Sequence, residues 1–218
     1  MNVNKRPSSN YAKTIQKEVT NQMREILVDW LAEVTEEFKF ASDALYLTVS
    51  CIDRFLSIRP LKRKHLQLLG VSSIFIASIF MGAAGQTDFQ HSNQQLEFLA
   101  CYLLELCLLC LKCVKFLPSI AAASALFLSR FIIQPNHHPW NQVLQCQTGY
   151  KPLELQECVL AIHVMHSTIT VCPLQAVRQK YLKPKKAGPS IIKLGLEELN
   201  EWFVFEGMNS WICSHEDE

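Results

Sequence analysis

The chain has almost no excess charge and lacks the sequence motifs of the common enzyme classes. Among its 218 residues, 21 are Lys or Arg and 20 are Asp or Glu, so the formal net charge is +1. A near-neutral chain has no broad electrostatic surface for nucleic acid. The sequence also contains no Gly-rich phosphate loop and no nucleophile motif. We therefore expect no nucleic-acid partner, no catalytic residues, no cofactor and no enzymatic activity.

Uninterrupted apolar runs of transmembrane length are missing as well. The two most apolar stretches are 66–81 and 98–117, and the second contains Glu105, Lys112 and Lys115. A transmembrane helix needs about 20 mainly apolar residues, and each charge costs roughly 2.5 kcal/mol or more at the centre of a bilayer. We therefore interpret both stretches as core helices and expect no membrane partner.

The chain has nine cysteines, an odd number, and most of them lie within apolar helical stretches. The first 20 residues contain no apolar signal segment. These features favour reduced, buried thiols in a cytosolic or nuclear setting over a framework of disulfides. We therefore expect the protein in the nucleus and the cytoplasm.

Two groups of residues have spacings that resemble metal sites. The first has the three-residue spacing of an iron–sulfur motif but no fourth ligand at a useful position. The second resembles a zinc site, although its histidines are equally well placed as ordinary helix residues. We expect no metal from either group. The residues are Cys107, Cys110 and Cys113 in the first group, and Cys158, His163, His166 and Cys172 in the second.

Residues 23–57 contain two amphipathic helices in tandem, in which apolar residues recur at three- and four-residue spacings. Arg24 and Asp53 lie beside these apolar faces. Since a buried charge needs a partner, we expect the two side chains to pair with each other. The apolar faces consist of Ile26, Leu27, Trp30, Leu31, Val34 and Phe38 in the first helix, and of Leu45, Val49, Ile52 and Leu56 in the second.

The chain also contains two copies of one helical unit. Residues 27–34 and 99–106 share the pattern Leu-x-x-aromatic-Leu-x-Glu-aliphatic, and 72–76 align with 124–128 within helices rich in small residues. Two matches in the same order predict an all-α tandem repeat. Small residues on a largely apolar helix are typical of a central helix that others approach closely.

The two copies differ in length, because the first has no counterpart of the last two helices of the second. The first copy is predicted to have about three helices and the second about five. Ser42 is placed as an N-cap with Asp43 in the first turn, while Pro139 and Gly149 suit the start and end of a short helix. The main helices are expected near 20–39, 43–58 and 63–81, and near 93–111, 116–133, 139–149 and 152–168.

Several of these segments resemble the motifs of cyclins, and in particular those of plant A-type cyclins. The resemblance implies tandem cyclin boxes, with an internal deletion in the first box and a divergent C-terminal tail. It also implies a non-catalytic regulatory subunit of a cyclin-dependent kinase that acts in cell-cycle control. The matching segments are 23–31 (MREILVDWL), 45–57, 66–71, 114–119 and 148–150.

The resemblance also implies a domain organisation. The expected parts are an N-terminal arm (1–19), a truncated N-terminal cyclin box (20–81), a linker (82–92), a C-terminal cyclin box (93–182) and a divergent tail (183–218).

The resemblance assigns roles to particular residues. Arg24 and Asp53 match a paired Arg and Asp that hold the first box together. A second set matches a shallow surface patch that captures Arg-x-Leu motifs of substrates or inhibitors. An apolar groove with a carboxylate at its edge can hold a leucine side chain and pair an arginine. This second set consists of Met23, Ile26, Leu27, Trp30, Glu33, Leu66 and Gln67.

Two departures from the family pattern concern the kinase. Ile79 lies where the family has a kinase-contacting lysine, and the next two helices of the box are absent. Their absence is expected to expose one flank of the third helix, including Phe75, Ile79 and Phe80, unless the aromatic tail covers it. Residues 191–218 have no counterpart in the family pattern.

We therefore predict a cyclin-like regulatory subunit with impaired kinase activation. One alternative is a docking or decoy module that captures Arg-x-Leu motifs without activating a kinase. A second alternative is a tandem cyclin fold of the general transcription factor type, although the near-neutral charge and the 23–30 segment weigh against it.

Overall fold

The structure is a computed structural model that describes residues 6–84, 94–134, 137–168, 172–182 and 203. Within these residues all regular secondary structure is helical. Two short 3-10 helices occur at Arg63–His65 and Leu111–Lys115. The α-helices are α1 (Tyr11–Thr14), α2 (Asn21–Glu37), α3 (Ser42–Leu56), α4 (Leu66–Ala84), α5 (Gln94–Leu109), α6 (Pro118–Ile133), α7 (Gln142–Thr148), α8 (Pro152–Thr168) and α9 (Ala176–Leu182).

The chain forms two compact units that are not continuous in sequence. Unit 1 contains residues 1–92, 108–115 and 171–188, and unit 2 contains 93–107, 116–170 and 189–218. Each unit therefore takes part of its core from a segment that is distant in the chain.

Unit 1 is organised around α2, α3 and α4. Helix α4 packs along α3, and α2 packs against α3, α4 and α9. Gly70 lets α2 and α4 approach closely, because a Cβ atom at this position would lie 2.9 Å from Cδ1 of Leu27. The buried apolar residues are Leu27, Val28 and Leu31 of α2, Leu45, Val49, Ile52 and Leu56 of α3, and Leu66, Ile74 and Ala77 of α4.

The N-cap prediction for α3 is wrong by one residue. Thr20 caps α2, and its side chain accepts a hydrogen bond from the backbone N–H of Met23 at 3.3 Å. At the start of α3, however, Ala41 occupies the cap position and makes no side-chain capping bond. The extended ψ of 140° at Ala41 turns the chain into the helix one residue earlier than expected, so Ser42 is the first helical residue.

In unit 2, α6 is a central helix and packs against α8. Its small residues let other elements approach it on nearly all sides. The buried residues of α6 are Ala121, Ala123, Ser124, Ala125, Phe127, Leu128, Ser129 and Ile132.

The short helix of unit 2 ends where expected but starts later. Gly149 closes α7 with φ +74°, and its N–H donates to the carbonyl of Gln145. The start is not at Pro139, because α7 begins at Gln142 after a cap by Asn141. Trp140 is fully buried, and its indole N–H donates to the carbonyl of Tyr150 at 2.9 Å. Because the Trp140 side chain is held in the core, the residues up to Trp140 stay outside the helix, and α7 begins after them.

Two short helices, α1 and α9, were not expected from the sequence. With four and seven residues, they are too short for an apolar periodicity to show. Both belong to unit 1 and pack against its core, where Tyr11 and Tyr181 are buried.

Most of the predicted linker, the side chain of Phe80 and nearly all of the tail lie outside the described residues. One tail residue, Phe203, is described and is buried in unit 2. Its ring stacks on that of Phe127 with a centroid distance of 5.4 Å and an interplanar angle of 11°. In the part of the chain that is described, no helix is long and apolar enough to cross a membrane.

Candidate functional site

A buried bidentate ion pair joins α2 to α3. Nε of Arg24 donates to Oδ1 of Asp53 at 2.8 Å, and Nη2 donates to Oδ2 at 2.7 Å. Both side chains are almost fully buried. A planar guanidinium that matches both carboxylate oxygens holds the two helices in one relative position.

Further polar groups complete the coordination of this pair. The hydroxyl of Tyr11 donates to Oδ1 of Asp53 at 2.8 Å. Nη1 of Arg24 donates to the carbonyls of Leu108 and Leu109 at 2.8 and 3.1 Å. A buried ion pair is tolerated only when its remaining donors and acceptors are satisfied in this way. We refer to Tyr11, Arg24 and Asp53 as the polar hub.

Burial and the neighbouring charges shift the pKa values of Arg24 and Tyr11. Burial alone would lower the pKa of Arg24, but the hydrogen bonds and the charge of Asp53 raise it overall. Burial raises the pKa of Tyr11, and the Asp53 carboxylate raises it further. The guanidinium therefore stays charged, and the tyrosine keeps the proton that it donates to Asp53.

The N-terminal segment is tied to the end of α3 by a second buried side chain. Nε2 of Gln16 donates to the carbonyls of Leu56 and Arg59, and its Oε1 accepts from the backbone N–H of Leu61 at 2.9 Å. Neither Tyr11 nor Gln16 was singled out from the sequence. Both come before the first strongly periodic helix, so no periodicity marks them as buried.

The predicted docking residues lie on one face of α2 and at the start of α4. Along α2, Met23, Leu27 and Trp30 are spaced by four and three residues, as are Ile26, Trp30 and Glu33, which places these residues on the same side of the helix. Leu27 contacts α4 at Gly70. Gly70 lies one helical turn after Leu66 and Gln67, the two docking residues on α4. Leu27 and Leu66 are buried, Met23 and Trp30 are half-buried, and Ile26, Glu33 and Gln67 are exposed. Five of the predicted docking residues therefore lie on one face of α2, with apolar atoms and a carboxylate at the surface, and the other two lie on α4, against which α2 packs.

An acidic groove continues from this face. It has a volume of about 420 Å³ and is lined by residues of α2 and α9, with aromatic and carboxylate side chains on its α2 wall. Asp29 fixes the position of α9, because its Oδ1 accepts from the backbone N–H of Ala176 at 3.1 Å. Asp29 is not marked by any local pattern in the sequence, since its partner lies 147 residues away. The lining residues include Trp30, Glu33, Glu36, Glu37, Phe38, Ala176, Gln179 and Lys180.

Ile79 lies on an exposed apolar face of α4, and 59% of its surface is accessible. We call this exposed apolar face of α4 the open flank. Its members extend over three turns of α4. The exposure of Phe75 and Ile79 agrees with the expectation from the sequence. The open flank consists of Leu68, Val71, Phe75, Ile76 and Ile79.

The two metal-like groups do not form a ligand cluster among the described residues. No group of three or more His, Cys, Asp or Glu side chains there has the arrangement needed to hold a metal ion. His163 and His166 are buried on α8 in unit 2, where the ring of His166 meets that of Tyr102 edge-on at 5.8 Å.

Two family models match the chain. The model for the N-terminal domain of cyclins matches residues 1–98, and the model for the C-terminal domain matches residues 72–193, which is more than half of the chain.

Curated relatives are plant cyclins. Cyclin-A3-4 of Arabidopsis thaliana is 41% identical over an alignment that includes 83% of this chain and 62% of the relative. Cyclin-A3-3 of the same species is 40% identical, over 83% of this chain and 70% of the relative. The G2/mitotic-specific cyclin C13-1 of Daucus carota is 38% identical, over 85% and 69%. The chain thus spans less than two thirds of the length of cyclin-A3-4.

The alignment with cyclin-A3-4 includes positions that have no counterpart in this chain. It runs over 231 positions, although 83% of 218 residues is only about 181 residues. About 50 positions of the relative therefore have no counterpart here. The helical architecture, the two family models and the identity to these relatives show that the chain belongs to the cyclin family.

Proposed function

We propose that the chain is a regulatory subunit of a cyclin-dependent serine/threonine kinase that acts in cell-cycle control in the nucleus and the cytoplasm. Cyclins are regulatory subunits and not catalytic enzymes. The polar hub carries the proposal, because it holds α2 and α3 of the first box in one arrangement. A rigid pair of helices offers a partner kinase a preorganised surface.

The docking face supports capture of Arg-x-Leu motifs. Ile26 and Trp30 offer apolar surface to a leucine side chain, and exposed Glu33 offers a carboxylate to an arginine. Aromatic anchors of this kind often contribute most of the binding energy of an interface.

Kinase activation by this subunit is proposed to be impaired. At the position of the family's kinase-contacting lysine, Ile79 presents only apolar atoms and has no charge to pair with a carboxylate. The open flank around it lacks the helices that would extend the kinase-facing surface.

A pull-down and a phosphorylation assay test the proposal together. Purified protein is mixed with a plant cyclin-dependent kinase, and capture and histone phosphorylation are measured in parallel. We expect capture with little phosphorylation. Robust phosphorylation would overturn the impairment, whereas a failure of capture would overturn the kinase-subunit proposal itself.

A substitution on α4 separates the role of position 79 from that of the open flank as a whole. Ile79→Lys restores a cation at this position, and Ile76→Lys is the matched control because both isoleucines are similarly exposed on one helix. We expect Ile79→Lys to raise kinase capture about fivefold, since a charge pair at an interface rim is worth about 1 kcal/mol. Equal effects of both variants would show that position 79 has no special role.

The decoy module is a second candidate. It is favoured because the docking residues of α2 keep apolar atoms and a carboxylate at the surface, while the open flank of α4 is exposed. Fluorescence polarisation with an Arg-x-Leu peptide tests it. Trp30→Ala is expected to weaken peptide binding about 30-fold, the equivalent of about 2 kcal/mol, and exposed Leu153→Ala in unit 2 is the control. Peptide binding without kinase capture would favour the decoy, and the absence of both would overturn both candidates.

A further inference from the structure

Two of the cysteines in unit 1 lie on a single turn of the chain. The backbone N–H of Cys113 donates to the carbonyl of Cys110 at 3.0 Å, which closes a turn from residue i to residue i+3. The turn leads into the 3-10 helix Leu111–Lys115, and in 3-10 geometry side chains three residues apart lie one above the other. Both thiols are reduced in the structure.

The geometry of this turn is compatible with a disulfide. The first and last Cα atoms of such a turn are less than about 7 Å apart, and disulfides join Cα atoms that are about 4.4–6.8 Å apart. Because both cysteines belong to one turn, a bond between their sulfur atoms requires no movement of a distant element.

The two cysteines differ in access to solvent. Cys110 is partly exposed, whereas Cys113 is 6% exposed. A dissolved disulfide can therefore reach Cys110 but not Cys113. This asymmetry suits Cys110 as the attacking thiol and Cys113 as the thiol that resolves the product.

The start of the turn is anchored to the polar hub. Arg24 donates to the carbonyls of Leu108 and Leu109, which directly precede Cys110. Because the backbone is held at this point, Cys110 and Cys113 stay close together. Two thiols held close in one chain react with each other at a high effective concentration.

We propose that Cys110 and Cys113 form a vicinal dithiol site that is oxidised by low-molecular-weight disulfides of the glutathione type. The thiolate of Cys110 attacks the dissolved disulfide, which forms a mixed disulfide and releases one thiol. The sulfur of Cys113, after loss of its proton to water, attacks the sulfur of Cys110 and releases the second thiol. The protein loses two electrons and two protons, and the small disulfide is reduced to two thiols.

The hydrogen bond to Cys113, together with burial, raises the pKa of the Cys110 thiol. A thiol with a raised pKa attacks slowly at neutral pH. The intramolecular disulfide is therefore expected to form slowly at neutral pH.

Tryptic digestion followed by mass spectrometry tests the proposal directly. Lys112 lies between the two cysteines, so trypsin separates them onto different peptides unless a disulfide joins them. The reduced full chain is treated with glutathione disulfide, its remaining thiols are blocked, and the digest is analysed by mass spectrometry. We expect the peptide that ends at Lys112 to be linked to the peptide 113–115.

Single substitutions assign the roles of the two sulfurs. Cys110→Ser is expected to abolish the linkage and to leave Cys113 unmodified, while Cys113→Ser leaves a glutathione adduct on Cys110. Cys107→Ser is the matched control and keeps the linkage, since Cys107 lies on the same tryptic peptide as Cys110. Circular dichroism checks that each variant is folded.

Three results would overturn the proposal. The first is a linkage that persists in Cys110→Ser, and the second is a wild-type chain that carries only glutathione adducts. The third is a linkage that appears in urea but not in the folded protein.

Discussion

Arg24 and Asp53 form a buried ion pair in unit 1. Nε and Nη2 of the guanidinium are each hydrogen-bonded to one oxygen of the carboxylate. Removing one member leaves the other charged, buried and without its counter-ion. The cost of an orphaned buried charge exceeds the value of the pair itself. Variants at these positions are therefore expected to be among the most destabilising in the chain.

Arg24→Ala is predicted to lower the free energy of unfolding by about 3–5 kcal/mol, because Asp53 is left buried without its cation. Urea denaturation followed by circular dichroism measures the change. Arg54→Ala is the control, since Arg54 is exposed and adjacent to Asp53 in the chain, and its cost should stay within about 0.5 kcal/mol. Equal losses for the two variants would contradict a structural role of the hub.

A second prediction concerns Asp29, whose pKa is raised above its ordinary value, mainly by burial. Because the folded state holds this proton more tightly than the unfolded state, the contribution to stability is complete below about pH 4. It is lost as the pH rises through the raised pKa. Asp29→Asn keeps an oxygen that can accept from Ala176 but does not titrate.

We therefore expect the stability of the wild type, relative to Asp29→Asn, to fall as the pH rises from about 4 towards neutrality. Urea denaturation at a series of pH values measures this difference. Exposed Asp43→Asn serves as a surface control. A difference that stays constant with pH would contradict the raised pKa.

Helices α4 and α6 have similar compositions but differ in how much of their surface is buried. Both lie in the aligned halves of the repeat and carry small residues next to large apolar ones. Helix α6 is buried on nearly all sides, whereas α4 leaves the open flank exposed. The difference follows from the neighbours that each helix has and not from its own composition.

The two sides of α4 are predicted to respond differently to the same substitution. Ile74 is 5% exposed and Ile76 is 61% exposed. Ile74→Ala should lower the free energy of unfolding by about 2–4 kcal/mol, because it leaves a cavity in the core. Ile76→Ala should cost less than about 0.5 kcal/mol. Thermal or urea unfolding tests the pair, and a large loss for Ile76→Ala would show that the open flank is covered in solution.

Across the whole chain, distant segments complete each unit. Residues 108–115 and α9 belong to unit 1, and Phe203 of the tail belongs to unit 2. The tail is therefore part of the fold at one point at least, although it has no counterpart in the family pattern. Phe203 covers the central helix of the second repeat through Phe127.

Phe203→Ala is predicted to destabilise unit 2 by about 3–5 kcal/mol, the usual cost of removing a buried phenylalanine. Hydrogen exchange followed by mass spectrometry should show reduced protection of α6. Phe75→Ala removes an equal number of atoms from the open flank and should leave the protection of α6 unchanged. Unchanged protection of α6 in Phe203→Ala would show that the stacking contact adds no stability.

The positions of helix ends show where sequence reasoning loses precision. Gly149 ends α7 as expected, because a left-handed residue after a helix is a local property that glycine supplies. Ser42 is the first residue of α3 and not its N-cap, and Pro139 lies before the start of α7. Their positions depend on the backbone at Ala41 and on the burial of Trp140, and neither is encoded in a local spacing.

The helical class, the repeat and the family follow from the amino-acid sequence, because these depend on periodic spacing and on short motifs. The sequence also marks Arg24 and Asp53 as candidates for a buried pair, since charges beside apolar faces need partners. The groups that surround this pair and the surfaces that stay uncovered depend on how the helices pack. Tyr11, the carbonyls of Leu108 and Leu109, and the partner of Asp29 come from segments 42–147 residues away. Contacts over such distances depend on the packing of whole helices, which no local pattern records.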